Sequence, residues 1–202
     1  MLEVATSSNL WVNLFIMVLC APVAEELIFR KLLIDRLAQY GEGVAVLFSG
    51  LMFGLFHGNL NQFVYAFVLG LCFGFIYVKT GNIRYTIGLH MLVNFLGSVL
   101  GVAILKWLGD DFLSIASDPA GMMSYMTGNF GKLIVYFIYI FLLLGVAIAG
   151  IILFIVNLKK IRFLPGMNTL PKGKRFSTTV LNVGMALYMI VWIVIIIVQL
   201  FQ

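Results

Sequence analysis

The sequence predicts an all-α, polytopic membrane helical bundle with about six transmembrane helices, forming a single domain over residues 1–202. Three observations carry this expectation. First, 62% of the 202 residues are hydrophobic and only 10% are charged, whereas a soluble domain carries about 25% charged residues. Second, the apolar stretches are long and do not alternate, so helices and not a barrel satisfy the backbone groups that lipid leaves unmet. Third, the cations gather in short connectors that alternate with connectors poor in them.

Six apolar segments follow one another. They run from Leu10 to Ile34, Val44 to Gly58, Gln62 to Val78, Ile83 to Trp107, Gly131 to Leu158 and Thr178 to Phe201. A spanning helix needs about 20 residues, so the second and third read as short. Only Asn59, Leu60 and Asn61 separate them, which predicts a tight helical hairpin. Glycines are spread through the segments, as expected where membrane helices pack closely.

The connectors set the topology. Arg30, Lys31 and Arg36 follow the first segment, and Lys79 and Arg84 follow the third. Lys159, Lys160, Arg162, Lys172, Lys174 and Arg175 follow the fifth. The connector before the fifth holds Asp110, Asp111 and Asp118, with Lys106 and Lys132 only at its edges. The positive-inside rule places the basic connectors in the cytoplasm and both termini outside. Residues 1–9 contain Glu3 and no Lys or Arg, which does not match the basic start of a signal peptide. Either the first helix inserts unaided or further helices precede it.

Several function classes fall away. The +5 net charge sits in connectors, so no nucleic-acid partner is expected. Cys20 and Cys72 show no CxxC spacing and read as small buried hydrophobes. A proton-relay transporter would carry inverted repeats, and the sequence has no such symmetry.

Ionisable groups inside a membrane cost about 2.5–3.5 kcal/mol each on insertion scales, so each one marks a candidate function. Here they are Glu25, Glu26, His57 and His90, with Arg30 near the helix end. Both histidines of the chain are among them. Glu26 and Arg30 stand four residues apart on one face, with the carboxylate N-terminal, which favours an ion pair. Glu25 is rotated about 100° away and is left free, as a general base requires. His90 and Asn94 repeat the i, i+4 spacing, as do Phe53 and His57, with Phe53 as a packing wall. Two imidazoles, a carboxylate and an amide can hold a divalent metal, zinc first, through Glu25, His57 and His90. They can equally bind and activate water directly.

The ordered set Glu25-Glu26-x-x-x-Arg30, Phe53-x-x-x-His57 and His90-x-x-x-Asn94 resembles the three-motif signature of the CPBP family, the CAAX proteases and bacteriocin-processing (Abi) enzymes. The match covers residues 25–94. The resemblance implies an intramembrane endopeptidase, of metallo or glutamate type, with a cavity facing the cytoplasm. It implies that Glu25 activates water and that Glu26 pairs with Arg30. It implies that His57, His90 and Asn94 hold the water or metal and stabilise the tetrahedral intermediate. The compact chain points to a multi-pass protein of a bacterial plasma membrane, acting on a hydrophobic peptide or membrane-protein substrate within the lipid bilayer. The alternative on the same fold is a non-catalytic bacteriocin-immunity or scaffold protein.

Overall fold

A computed structural model describes residues 9–109, 112–168, 174, 178 and 182–201. Glu3, Asp110, Asp111, Lys172 and Arg175 lie outside them. Among the described residues every regular element is helical, as expected for an all-α polytopic membrane protein. The helices are α1 (Leu10–Tyr40), α2 (Glu42–Phe56), α3 (Leu60–Thr80), α4 (Ile83–Leu108), α5 (Phe112–Ala116), α6 (Pro119–Asn157) and α7 (Val183–Leu200). All but α2 and α5 are long and apolar enough to cross a membrane.

Several boundaries differ from the sequence expectation. Helix α3 spans 21 residues and is not short. The turn of the hairpin is His57–Asn59, because the Asn59 side chain accepts from the Gln62 N–H at 2.8 Å and caps α3 one residue before Leu60. Gly58 takes φ +68°, a left-handed conformation that suits glycine. Helix α6 starts at Pro119, well before Gly131. Asp118 caps it through the Ala120 and Gly121 N–H groups, and Pro119 fits the first turn. Its backbone leaves helical geometry at Asn129. Cys20 and Cys72 are exposed free thiols, not buried ones, because the apolar faces that carry them point outward. Three stretches are π-helical: Asn13–Cys20 and Leu27–Ile34 in α1, and Phe95–Gly101 in α4.

Contacts gather in two units. The first takes the residues up to Cys20 with Met91–Arg162, and the second takes Ala21–His90 with the residues from Phe163 on. In the first unit, Leu108, Phe112 and Leu133 pack together. Asn13, 1% exposed, donates to the Ser98 carbonyl at 3.3 Å. The Tyr139 hydroxyl donates to the Leu96 carbonyl at 2.7 Å.

The second unit is built on the α2–α3 hairpin. A Cβ on Gly70 would stand 2.8 Å from the Gly50 Cα, and one on Gly50 would stand 2.9 Å from Leu71. Only two glycines let these backbones approach so closely. Phe29 of α1 packs with Phe53 and Ala66 across the hairpin, and Ile34 packs with Ala45 and Tyr77. Helix α7 runs parallel to α2: Phe48 meets Met185, the Tyr188 hydroxyl donates to the Met52 carbonyl at 2.9 Å, and Gly58 lies against Trp192 and Ile195. At the charged end, Lys79 pairs with Glu42, whose carboxylate also accepts from the Leu164 N–H.

Gly70→Ala is expected to force the hairpin apart and to destabilise the protein by about 1–3 kcal/mol, the usual penalty of overpacking. The readout is a lower thermal midpoint of the purified protein in detergent. Gly88→Ala, where an added Cβ meets nothing within 4 Å, should leave the midpoint unchanged or raise it.

Candidate active site

The second unit draws polar side chains from three helices into one cluster. Helix α1 supplies Glu25, Glu26 and Arg30. Helix α2 supplies Phe53 and ends at His57, and α4 supplies His90. Glu26 and Arg30 are both fully buried. The Arg30 Nε lies 3.0 Å from Glu26 Oε2, the pairing that their i, i+4 spacing predicts. The other carboxylate oxygen, Oε1, accepts from His90 Nδ1 at 3.0 Å. A carboxylate can only accept, so the ring proton is on Nδ1 and His90 Nε2 points away from the pair. Glu26 therefore does more than neutralise Arg30: it fixes the tautomer and tilt of an imidazole.

Glu25 faces that imidazole from the other side. Its Oε2 lies 3.7 Å from His90 Nε2, beyond direct hydrogen-bond range. The same oxygen is buried and has no hydrogen-bond partner among the described residues. One of two adjacent carboxylates is thus held by an ion pair and a hydrogen bond, and the other keeps an oxygen with neither at bonding distance.

His57 is held from within its own helix. Its Nδ1 lies 2.8 Å from the Phe53 carbonyl, which only accepts, so Nδ1 carries a proton and Nε2 is left for other work. The Phe53 ring sets the spacing of the two imidazoles. It meets His57 edge-on at 4.9 Å and His90 at 5.5 Å between ring centres. The Arg30 guanidinium sits 4.6 Å above the Phe53 ring and 5.6 Å from that of Phe73, a cation–π sandwich. Its Nη1 and Nη2 have no hydrogen-bond partner, so the aromatic faces supply part of what solvent would have given.

Glu25, Glu26, Arg30, Phe53, His57 and His90 are thus all brought into this unit. Asn94 is not among them. It lies one turn past His90 along α4 and belongs to the first unit, where its Nδ2 donates to the Met17 carbonyl at 2.7 Å. Among the described residues no group of three or more His, Cys, Asp or Glu side chains is arranged to hold a metal ion. Each imidazole Nδ1 is committed to a protein oxygen, which leaves the two Nε2 atoms and the Glu25 carboxylate as the groups that could face a water or a metal ion.

Two aromatic residues join the cluster that sequence reading did not single out. Phe73 lies 5.5 Å from His90. Tyr65 lies 6.4 Å from His57 between ring centres, and its hydroxyl is within electrostatic range of Glu25. Both sit on α3 eight residues apart, on roughly one helix face. An aromatic stripe in an apolar helix is the usual mark of packing, so no sequence signal set them apart.

Comparison with known proteins agrees with the site. Residues 7–96 match the family model of type II CAAX prenyl endopeptidase Rce1-like proteins. The chain is 33% identical over 74 residues to YdiL of Bacillus subtilis (strain 168), a protein whose name proposes it as a membrane peptidase. That match covers 36% of this chain and 30% of the relative's length. No solved structure matches the chain. The stretch that matches the family model contains every side chain of the cluster, so the chain is similar to these CAAX-type endopeptidases where its candidate site lies.

Proposed function

We propose that the protein is an intramembrane endopeptidase of the CAAX-protease type that cleaves a hydrophobic peptide or a membrane protein with water activated by Glu25. The observation that carries this reading is the buried, unpartnered Oε2 of Glu25, set 3.7 Å from an imidazole whose far nitrogen is pinned by Glu26. A carboxylate held in place without a structural partner is what a general base requires.

The reaction runs as follows in this reading. Glu25 accepts a proton from water, and the oxygen of that water forms a bond to the peptide carbonyl carbon. Negative charge develops on the carbonyl oxygen. His90, held by Glu26, orients the water. His57, held by the Phe53 carbonyl, is the group that meets the oxyanion, the kind of donor whose placement contributes most to acyl transfer. Collapse of the intermediate breaks the C–N bond, and the proton on Glu25 passes to the leaving amine. The substrate is drawn from the bilayer, because exposed apolar faces surround the site on α1 and α3.

In this reading the protein belongs to a bacterial plasma membrane, and the cavity opens toward the cytoplasm. The charged ends carrying Lys31, Arg36, Glu42 and Lys79 mark the cytoplasmic side by the positive-inside rule. Glu25 lies fifteen residues from Tyr40 at the end of α1, about 22 Å along the helix, so the cavity is deep.

Three measurements test these claims. Membrane peptidomics should show a peptide that accumulates with Glu25→Gln and disappears with the wild type, and in vitro cleavage should fall about 10²–10⁴-fold. An unchanged peptide profile, with immunity to a bacteriocin retained by the mutant, identifies a non-catalytic immunity or scaffold protein instead. Thermal unfolding in detergent should separate the two glutamates. Glu26→Ala strands the buried Arg30 and should cost about 3–5 kcal/mol, whereas Glu25→Gln should leave the midpoint within experimental error. Finally, Glu25→Cys in a background lacking Cys20 and Cys72 should react with a membrane-impermeant thiol reagent applied from the cytoplasmic side of oriented vesicles. Reaction only from the opposite side overturns the proposed opening.

A further inference from the structure

A cavity in the same unit lies between α1, α2 and α7 and has a volume of about 270 Å³. Ile28, Leu32 and Arg36 line it from α1, Met52 and Phe56 from α2, and Tyr188 from α7. The three α1 residues follow one another at i, i+4, so they form one strip about 12 Å long. Ile28 and Leu32 are 48% and 51% exposed, so the slot is open along its side. The Tyr188 hydroxyl is spent on the Met52 carbonyl. The slot is therefore apolar along its length and ends on one cation.

That cation has no counter-charge of its own. The neighbouring Lys31 and Asp35 pair with each other at 2.8 Å. Arg36 makes only a 3.4 Å contact from Nη1 to the Leu32 carbonyl, and no ion pair among the described residues. It stands four residues from the end of α1, near the Lys31–Asp35 pair, where polar headgroups meet the protein.

From this geometry we propose that the α1–α2–α7 slot is a binding site for one anionic phospholipid, with an acyl chain along Ile28, Leu32 and Phe56 and the headgroup phosphate at Arg36. A slot that opens into hydrocarbon fits an acyl chain, and an unpaired guanidinium at the interface selects an anionic head over a zwitterionic one. The slot also shares walls with the aromatic layer of the catalytic cluster. Phe29, at its base, meets Phe53 at 5.4 Å and Phe56 at 5.5 Å, and Phe56 meets His57 at 6.3 Å. An acyl chain in the slot holds that layer closed against lipid.

The test is native mass spectrometry of the full chain purified in detergent and given equal amounts of phosphatidylglycerol and phosphatidylcholine. The wild type should retain one phosphatidylglycerol with a preference of about fivefold or more, as expected for one interfacial cation. Arg36→Gln should bring the preference to parity. Leu32→Trp, which fills the slot, should abolish retention of that lipid. Val64→Trp, at a position on α3 that is 61% exposed, should behave as the wild type. Equal retention of both lipids by the wild type overturns the site, as does an undiminished preference in Arg36→Gln. So does displacement of the retained lipid by a prenylated peptide but not by excess phosphatidylglycerol. Because Arg36 is exposed, its variant decides the matter even where Leu32→Trp does not purify. None of these readouts depends on peptidase activity, so the site and the proposed function stand or fall separately.

Discussion

Arg30 is fully buried against Glu26, and the geometry of the second unit follows from that ion pair. A guanidinium inside a membrane is tolerated only with its charge met. Removing one partner of such a pair leaves the other stranded, which is far more damaging than replacing both. The pair thus locks the face of α1 that carries it. Glu26 then spends its second oxygen on His90, so one interaction orients α4 relative to α1 within the unit. Phe53 and Phe73 close over the guanidinium, and Phe53 in turn spaces the two imidazoles. The geometry of the candidate site is downstream of a structural charge.

The second constraint is depth. Helix α2 has 15 residues, about 22 Å at 1.5 Å per residue, which falls short of the hydrocarbon thickness of about 30 Å. A helix of that length does not cross the hydrocarbon by itself. Its end lies alongside α7, since Gly58 packs on Trp192 and Ile195 and α7 continues to Leu200. A helix turn placed there must satisfy its own backbone. Asn59 and Gln62 do this: Asn59 Nδ2 donates to the His57 carbonyl and to Gln62 Oε1, while its Oδ1 caps α3. The hairpin thus presents an imidazole on a turn whose own side chains satisfy its backbone, which lipid would otherwise not tolerate.

Much of this was legible in the sequence, and the reason is physical. In an almost uncharged chain, a carboxylate or imidazole in an apolar run has few explanations, so Glu25, Glu26, Arg30, His57 and His90 announced themselves. Regular i, i+4 spacing exposed the Glu26–Arg30 pair directly. What did not show was of two kinds. Helical period cannot reveal π-turns, so the stretches Asn13–Cys20 and Leu27–Ile34 on either side of the glutamates were invisible; such turns gather at functional sites and re-aim side chains by a fraction of a turn. Aromatic residues could not be sorted either, because Tyr65 and Phe73 share their chemistry with every packing residue around them. The expectation of a short third helix failed for a related reason: Asn61 and Lys79–Thr80 look like connector residues by hydropathy, while the Asn59 cap and Tyr77 packing make them helix.

Two adjacent glutamates illustrate how one local difference separates structure from chemistry. Side chains one residue apart on a helix diverge by about 100°, so Glu25 and Glu26 reach His90 from opposite sides of its ring. Arg30 stands one turn beyond Glu26 and takes that carboxylate, and His90 takes what remains of it. Glu25 sees only the outward nitrogen of the same imidazole, at a distance too long for a bond. Its uncommitted oxygen goes with its neighbour's engagement by both Arg30 and His90. A single shift of register, placing the arginine at position 29, would engage Glu25 and free Glu26 into packed aromatic surroundings where no substrate reaches. The spacing Glu-Glu-x-x-x-Arg therefore does more than place charges together: it decides which carboxylate is structure and which is left with an oxygen for water.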